Sequence, residues 1–149
     1  MTTAASAPIT QKHLFGWKME KVLHPYLQDY LEEDLVPTSY RFDGCDWVSA
    51  TADCELKARP ALSVKYKTPQ DMNTYSEWLV PCCKADKFKS ESGRKLIFFY
   101  YWEKNQKVFR CDYDPNNSWR RDVPWWSSQE HFFIPREDWV EILDIPPVE

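Results

Sequence analysis

Glycine is scarce in this chain: 3 residues in 149, none adjacent to another. A phosphate-cradling loop built on clustered glycines is therefore excluded. No CxxC pair occurs among the five cysteines at 45, 54, 82, 83 and 111, and no histidine follows a cysteine pair at zinc-finger spacing. The odd count and the adjacent Cys82-Cys83 point to buried thiols in a reducing compartment rather than to a disulfide framework. His13, His24 and His131 are scattered without ligand spacing. No apolar run of about 18 residues and no signal-peptide pattern is present, so no membrane association is expected. The chain reads as cytoplasmic, or nuclear in a eukaryotic source. An excess of positive charge is also missing. The formal net charge is -4, which argues against a binder that works only by neutralising phosphates. An enzyme on nucleic acid stays open, because a local basic patch and a metal-neutralised carboxylate cluster are compatible with that charge.

Aromatic residues are abundant, at 16% with 8 Trp, 8 Tyr and 8 Phe. They fill a core with few residues and leave some rings for contact surfaces. At 149 residues, one domain with one sizeable core is expected over 11–149. Residues 1–10, MTTAASAPIT, read as a disordered tail. The stretch 11–35 reads as helical, split near His24-Pro25, with Leu27, Leu31 and Leu35 as an apolar stripe and Pro37 as the stop. From Ser39 the period changes to two. Tyr40 and Phe42 alternate with polar residues, and 45–50 and 53–59 read as strands of a hairpin turning near Thr51. Along 53–59, Cys54, Leu56 and Ala58 face one way; Asp53, Glu55, Lys57 and Arg59 face the other. Residues 69–90 read as helical with a misfit at Pro81. Residues 95–102, KLIFFYYW, read as a strand buried on both faces, with 108–111 as its hairpin partner. A loop is expected over 114–129, an extended piece over 131–134, and a last helical turn or two after Pro135 carrying Trp139, Ile142 and Leu143. This order gives an α/β fold, a three-layer sandwich about a mixed central sheet.

The chemistry-bearing constellation is Asp46, then Glu55, then Lys57. Glu55 and Lys57 share a strand face about 6–7 Å apart, and a hairpin sets Asp46 on the neighbouring strand. Mg²⁺ takes one or two carboxylates, waters and substrate phosphate oxygens. It stabilises charge on a phosphate and lowers the pKa of a bound water. A lysine beside it can orient or deprotonate that water. Asp46, Glu55 and the Leu56 carbonyl are the candidate metal ligands for Mg²⁺ or Mn²⁺, and Lys57 is the candidate assistant to the attacking water. Asp43 competes with Asp46 for the metal role. A plain alternative is a solvated strand face with a cross-strand ion pair.

Arg59, Lys65, Tyr66 and Lys67 follow the constellation and suit a phosphate backbone with one stacked base, or equally a strand edge guarded by lysines. Trp119, Arg120, Arg121, Trp125 and Trp126 form a second basic-aromatic group. The tryptophans there serve unpaired bases or, more simply, cap the core.

The segment 40–59, YRFDGCDWVSATADCELKAR, resembles the catalytic hairpin of the PD-(D/E)xK nuclease superfamily. Glu55-Leu56-Lys57 matches the D/E-x-K element and Asp46 the preceding acid, with Cys45 where many relatives carry proline. The resemblance implies a restriction-endonuclease-like αβββαβ core and a Mg-dependent nuclease acting on DNA, of endonuclease, resolvase or repair type. It also implies a supporting glutamate at the end of the preceding helix, a place Glu32 or Glu33 fills. A lysine in the following helical segment, Lys84, is implied as well. A homodimer or a partner subunit is expected from the same likeness. The competing expectation is a non-catalytic module on the same fold that binds nucleic acid or protein. A third is a structural protein using the tryptophan-rich loop as an interaction patch.

Overall fold

The computed structural model describes residues 11–38, 46–88 and 93–147. The expected tail over 1–10, the strand over 39–43 and the candidate Asp43 lie outside them. The first element, α1 (Gln11–Leu31), follows from a four-residue repeat: Met19, Leu23 and Leu27 are all buried on one face. The expected split at Pro25 does not occur, and the helix runs through it. Proline costs one intrahelical hydrogen bond, but Pro25 is exposed and the buried stripe continues on both sides of it. Packing against the sheet therefore holds one helix. It ends at Leu31, earlier than expected, where Glu32 turns with a φ of 56°. Leu35 is still buried, but from the segment beyond the helix. Its N–H donates to Gln28 Oε1 at 3.0 Å, and its carbonyl lies 2.6 Å from His24 Nε2.

Six strands form one mixed sheet. In spatial order they are β1 (Val36–Pro37), β2 (Trp47–Val48), β3 (Ala52–Arg59), β5 (Lys95–Trp102), β6 (Lys107–Asp112) and β9 (Val140–Asp144). All neighbours are antiparallel except β3 and β5, which run parallel. A parallel pair needs a crossover connection. Here the crossover carries β4 (Glu77–Pro81) and α2 (Cys82–Lys87). This corrects the expectation of a helix over 69–90. Trp78 and Val80 are buried at strand spacing, Pro81 is the last residue of the strand, and only the short α2 is helical. β4 heads a second sheet of order β4-β8-β7, with β7 at Arg120–Asp122 and β8 at His131–Pro135. The loop expected over 114–129 thus contains a three-residue strand. The helical turns expected after Pro135 reduce to one 3-10 turn, Arg136–Asp138. Ile142 and Leu143 belong instead to β9, drawn into the ladder by the free edge of β6.

The side chains of β5 divide the core. Ile97, Phe99 and Tyr101 join Cys54, Leu56 and the α1 stripe on one face. Leu96, Phe98, Tyr100 and Trp102 meet Trp78, Val80, Phe132 and Ile134 of the small sheet on the other. The layers are therefore α1, the six-stranded sheet, and the small sheet with α2. The alternation expected for 53–59 holds. Among the described residues no helix is long and apolar enough to cross a membrane.

Candidate active site

β2 is only two residues long, and its register sets Trp47 opposite Cys54. Asp46 lies just before it, at the level of Glu55. There the backbone ladder has stopped, and the Asp46 side chain takes its place: Oδ2 accepts the Leu56 N–H at 2.7 Å. Glu55 and Lys57 project from the face of β3 that carries Phe98 and Tyr100 on β5, their register partners.

Glu55 is buried, at 5% exposure. Lys84 Nζ of α2 lies 3.5 Å from its Oε2, with only 10% of the lysine side chain exposed. Burial pushes the Glu55 carboxyl well above its ordinary range, and the neighbouring Asp46 carboxylate pushes it the same way; Lys84 and Lys57 act against the rise. A like charge this close disfavours the ionised form of the buried glutamate. Burial also lowers the Lys57 ammonium, with Arg59 and Lys84 adding to that direction and Glu55 and Asp46 opposing it. So the structure brings together Asp46, Glu55, Lys57 and Lys84, two carboxyls and two lysines, from the residue before β2, from β3 and from α2.

Other predicted residues lie elsewhere. The Glu33 carboxylate caps the β2–β3 turn, 2.8 Å from Thr51 Oγ1. Its pKa is lowered chiefly by Ser49, then by Thr51. Thr51 is four residues from Glu55, about 13 Å at strand rise. Glu32 is exposed in its left-handed turn. Asp53, a nearby carboxylate on the same strand face, is bound by Arg94 at 2.6 Å. Arg59 donates from Nε to the buried Tyr100 hydroxyl at 2.9 Å. Arg120 pairs with Glu77 and Asp122 across the face of Phe133. Arg121 pairs with Asp86 and Glu130. Both arginines thus knit the small sheet together. Trp119 packs against the core and donates to Asp138 at 2.8 Å, the capping role. Lys65, Tyr66 and Lys67 sit exposed on the loop after β3.

Sequence reasoning missed the roles of Tyr100 and Arg94. Tyr100 read only as part of a buried run; the parallel register of β3 with β5 is what exposes its polar task. Nothing local marks Arg94 as the partner of Asp53.

Among the described residues no group of three or more His, Cys, Asp or Glu gathers as a metal site. The acidic part is the Asp46–Glu55 pair, and two carboxylates suffice for Mg²⁺ with water and phosphate ligands. A buried glutamate forced beside a like charge is also what a divalent cation would relieve. The donor set therefore fits such an ion, held by Asp46, Glu55 and the Leu56 carbonyl. No protein-family model matches the chain, and neither a curated protein nor a solved structure matches it.

Proposed function

We propose that this protein is a metal-dependent nuclease that hydrolyses phosphodiester bonds of DNA at Asp46, Glu55 and Lys57, on a restriction-endonuclease-like core. The observation that carries the reading is the convergence of buried Glu55 and the adjacent, half-buried Asp46 with Lys57 and Lys84. The order α1, β1, β2, β3, a crossover carrying β4 and α2, then β5 parallel to β3 supports it, because apart from β4 this is the element order of the αβββαβ plan that the sequence resemblance implies.

A bound Mg²⁺ or Mn²⁺ would supply charge stabilisation at the scissile phosphate and acidify a water. The residues of this chain do the rest. Lys57, with its ammonium destabilised by burial, takes a proton from the attacking water as the new P–O bond forms. The bond to the departing deoxyribose oxygen then breaks, and that oxygen is protonated from solvent. Lys84 holds the Glu55 carboxylate in place. Arg59, anchored through Nε on Tyr100, keeps its other N–H groups for phosphate.

Purified protein incubated with Mg²⁺ or Mn²⁺ and plasmid, linear, single-stranded or branched DNA should cleave at least one of them. Lys57→Ala should lower the rate by about 10²–10⁴-fold with the far-UV spectrum unchanged. Retained cleavage in that variant sinks the assignment. A second reading, a binding module without turnover, draws on Lys84, which already compensates Glu55 without a cation. Its signature is metal-independent binding with no cleavage of any substrate.

A further inference from the structure

Two loops, one leaving the strand of Glu55 and Lys57 and the other tied to the helix of Lys84, meet through their aromatic tips. The first, over 60–70, leaves the end of β3 directly after Arg59. It is tightly built: Ser63 N–H donates to the Thr68 carbonyl at 2.9 Å, Lys67 N–H to the Ser63 carbonyl at 2.9 Å, and Gln70 N–H to the Ala61 carbonyl at 2.8 Å. The Ser63 and Thr68 hydroxyls add a 2.8 Å bond, and Lys67 sits at a φ of 56° to close the turn. These bonds lift Lys65-Tyr66-Lys67 to the tip.

The second loop, over 123–130, joins β7 to β8. It is tied to α2, the helix of Lys84, because the Glu130 carbonyl accepts the Cys82 N–H at 3.0 Å. From it Trp125 reaches Tyr66, with ring centroids 6.1 Å apart and planes at 49°. Lys65 Nζ lies 5.3 Å from the Tyr66 ring centroid. Trp125 is 81% exposed and Tyr66 53% exposed, so their outer ring faces are open. An indole this exposed gains almost nothing from the core. Residues 60–70 contain no acidic residue, and the one in 123–130, Glu130, is paired with Arg121, so the tip of this corner carries two lysines on a chain of net charge -4.

We propose that Tyr66 and Trp125, flanked by Lys65 and Lys67, form a stacking platform for an unpaired stretch of nucleic acid beside the Asp46–Glu55 site. The inference rests on the nuclease reading for what happens to the held strand, and it makes a single-stranded end or gap the substrate class. The chemistry is general. Every base offers a ring face to an aromatic side chain, while lysines follow the phosphates without reading sequence. Bases stacked inside a duplex cannot lie flat on Trp125, so duplex DNA is excluded from this mode. The stiff loop pays little ordering entropy on binding.

Fluorescence anisotropy with the full chain in EDTA separates binding from cleavage. The probes are labelled dT12, rU12 and a 12-base-pair blunt duplex. The wild type should bind dT12 more tightly than the duplex. Trp125→Ala and Tyr66→Ala should each weaken dT12 binding about 5- to 150-fold, with the melting midpoint unchanged. Trp125→Phe, which keeps a ring, should restore most of it. Lys65→Ala/Lys67→Ala should flatten the slope of log affinity against log salt by about 1.4. Comparable binding of rU12 also supports the platform, because ring stacking does not sense the 2′-hydroxyl. Undetectable dT12 binding, duplex binding as tight as dT12, or indifference to Trp125→Ala would overturn it. The two readings fail separately. A protein that cuts nothing but loses dT12 with Trp125→Ala keeps the platform and loses the nuclease. A nuclease that ignores Trp125→Ala does the reverse.

Discussion

At the scale of single residues the decisive quantity is the cost of charge on Glu55. Two ammonium groups favour its ionised form, yet burial and the Asp46 carboxylate outweigh them, and the carboxyl is held well above its ordinary value of 4.5. The sign of the linkage follows. A carboxyl whose pKa is higher folded than unfolded stabilises the fold fully below the unfolded value, and that contribution disappears as pH rises through the folded value. Without metal, the protein should therefore lose stability as pH climbs from about 5 toward the alkaline range on account of this group. Glu55→Gln copies the neutral carboxyl and removes the dependence. Urea denaturation at several pH values should find Glu55→Gln more stable than wild type by about 1 kcal/mol at pH 8, the gap closing toward pH 4.5. A less stable Glu55→Gln at pH 8 would mean that Lys84 and Lys57 dominate after all. The same variant should not cleave, so stability and activity part company at one residue, as they do where a site is built under strain.

At the scale of elements, the small sheet is what brings α2, and with it Lys84, onto the six-stranded sheet. Trp78 of β4 is the joint. Its ring centroid lies 5.1 Å from that of Tyr100, 5.2 Å from Trp102, 4.9 Å from Phe109 and 5.4 Å from Trp139. Trp78→Ala should cost about 3–5 kcal/mol in urea denaturation, and a loss below about 1 kcal/mol would show that the sheets adhere without it. This joint was not legible in the sequence. Tyr75, Trp78 and Leu79 are spaced as on a helix, Pro81 disguised a strand end, and only pairing with β8 reveals β4. β9 was hidden for the same reason, since an edge strand takes its shape from the neighbour it joins. The β3 face was legible because its period of two is written in four alternating charged residues. The Asp46–Glu55 approach was legible because a hairpin is local. The contact of Lys84 with Glu55 crosses 84 − 55 = 29 positions, and no spacing rule reaches that far; only the likeness to a family pointed there. The platform shows the same limit. Tyr66 and the tryptophans were each visible as basic-aromatic groups, but their meeting depends on how two loops fold toward one corner.

At the scale of the whole molecule, protons and cations compete for one acidic pair on a protein of net charge -4. A cation held by Asp46 and Glu55 must displace the proton that burial and the neighbouring Asp46 carboxylate favour on Glu55. Affinity for a divalent ion should therefore rise with pH through the raised pKa of Glu55, and binding should release protons to the buffer. Binding to the folded state alone adds RT ln(1 + [L]/Kd), about 2.7 kcal/mol at a hundredfold excess over Kd. Mn²⁺ or Mg²⁺ should accordingly raise the melting midpoint of the wild type, more at pH 8 than at pH 6, and leave that of Asp46→Asn/Glu55→Gln unmoved. Calorimetric titration in buffers of different ionisation enthalpy would count the protons released. Ion pairs of the Arg120 and Arg121 kind are exposed and respond to ionic strength generally, so NaCl matched in ionic strength is the control. An equal upward shift in the double variant would place the ion elsewhere on the surface. An unmoved midpoint in the wild type would show that Lys84 already satisfies the pair, and would favour the binding module over the nuclease.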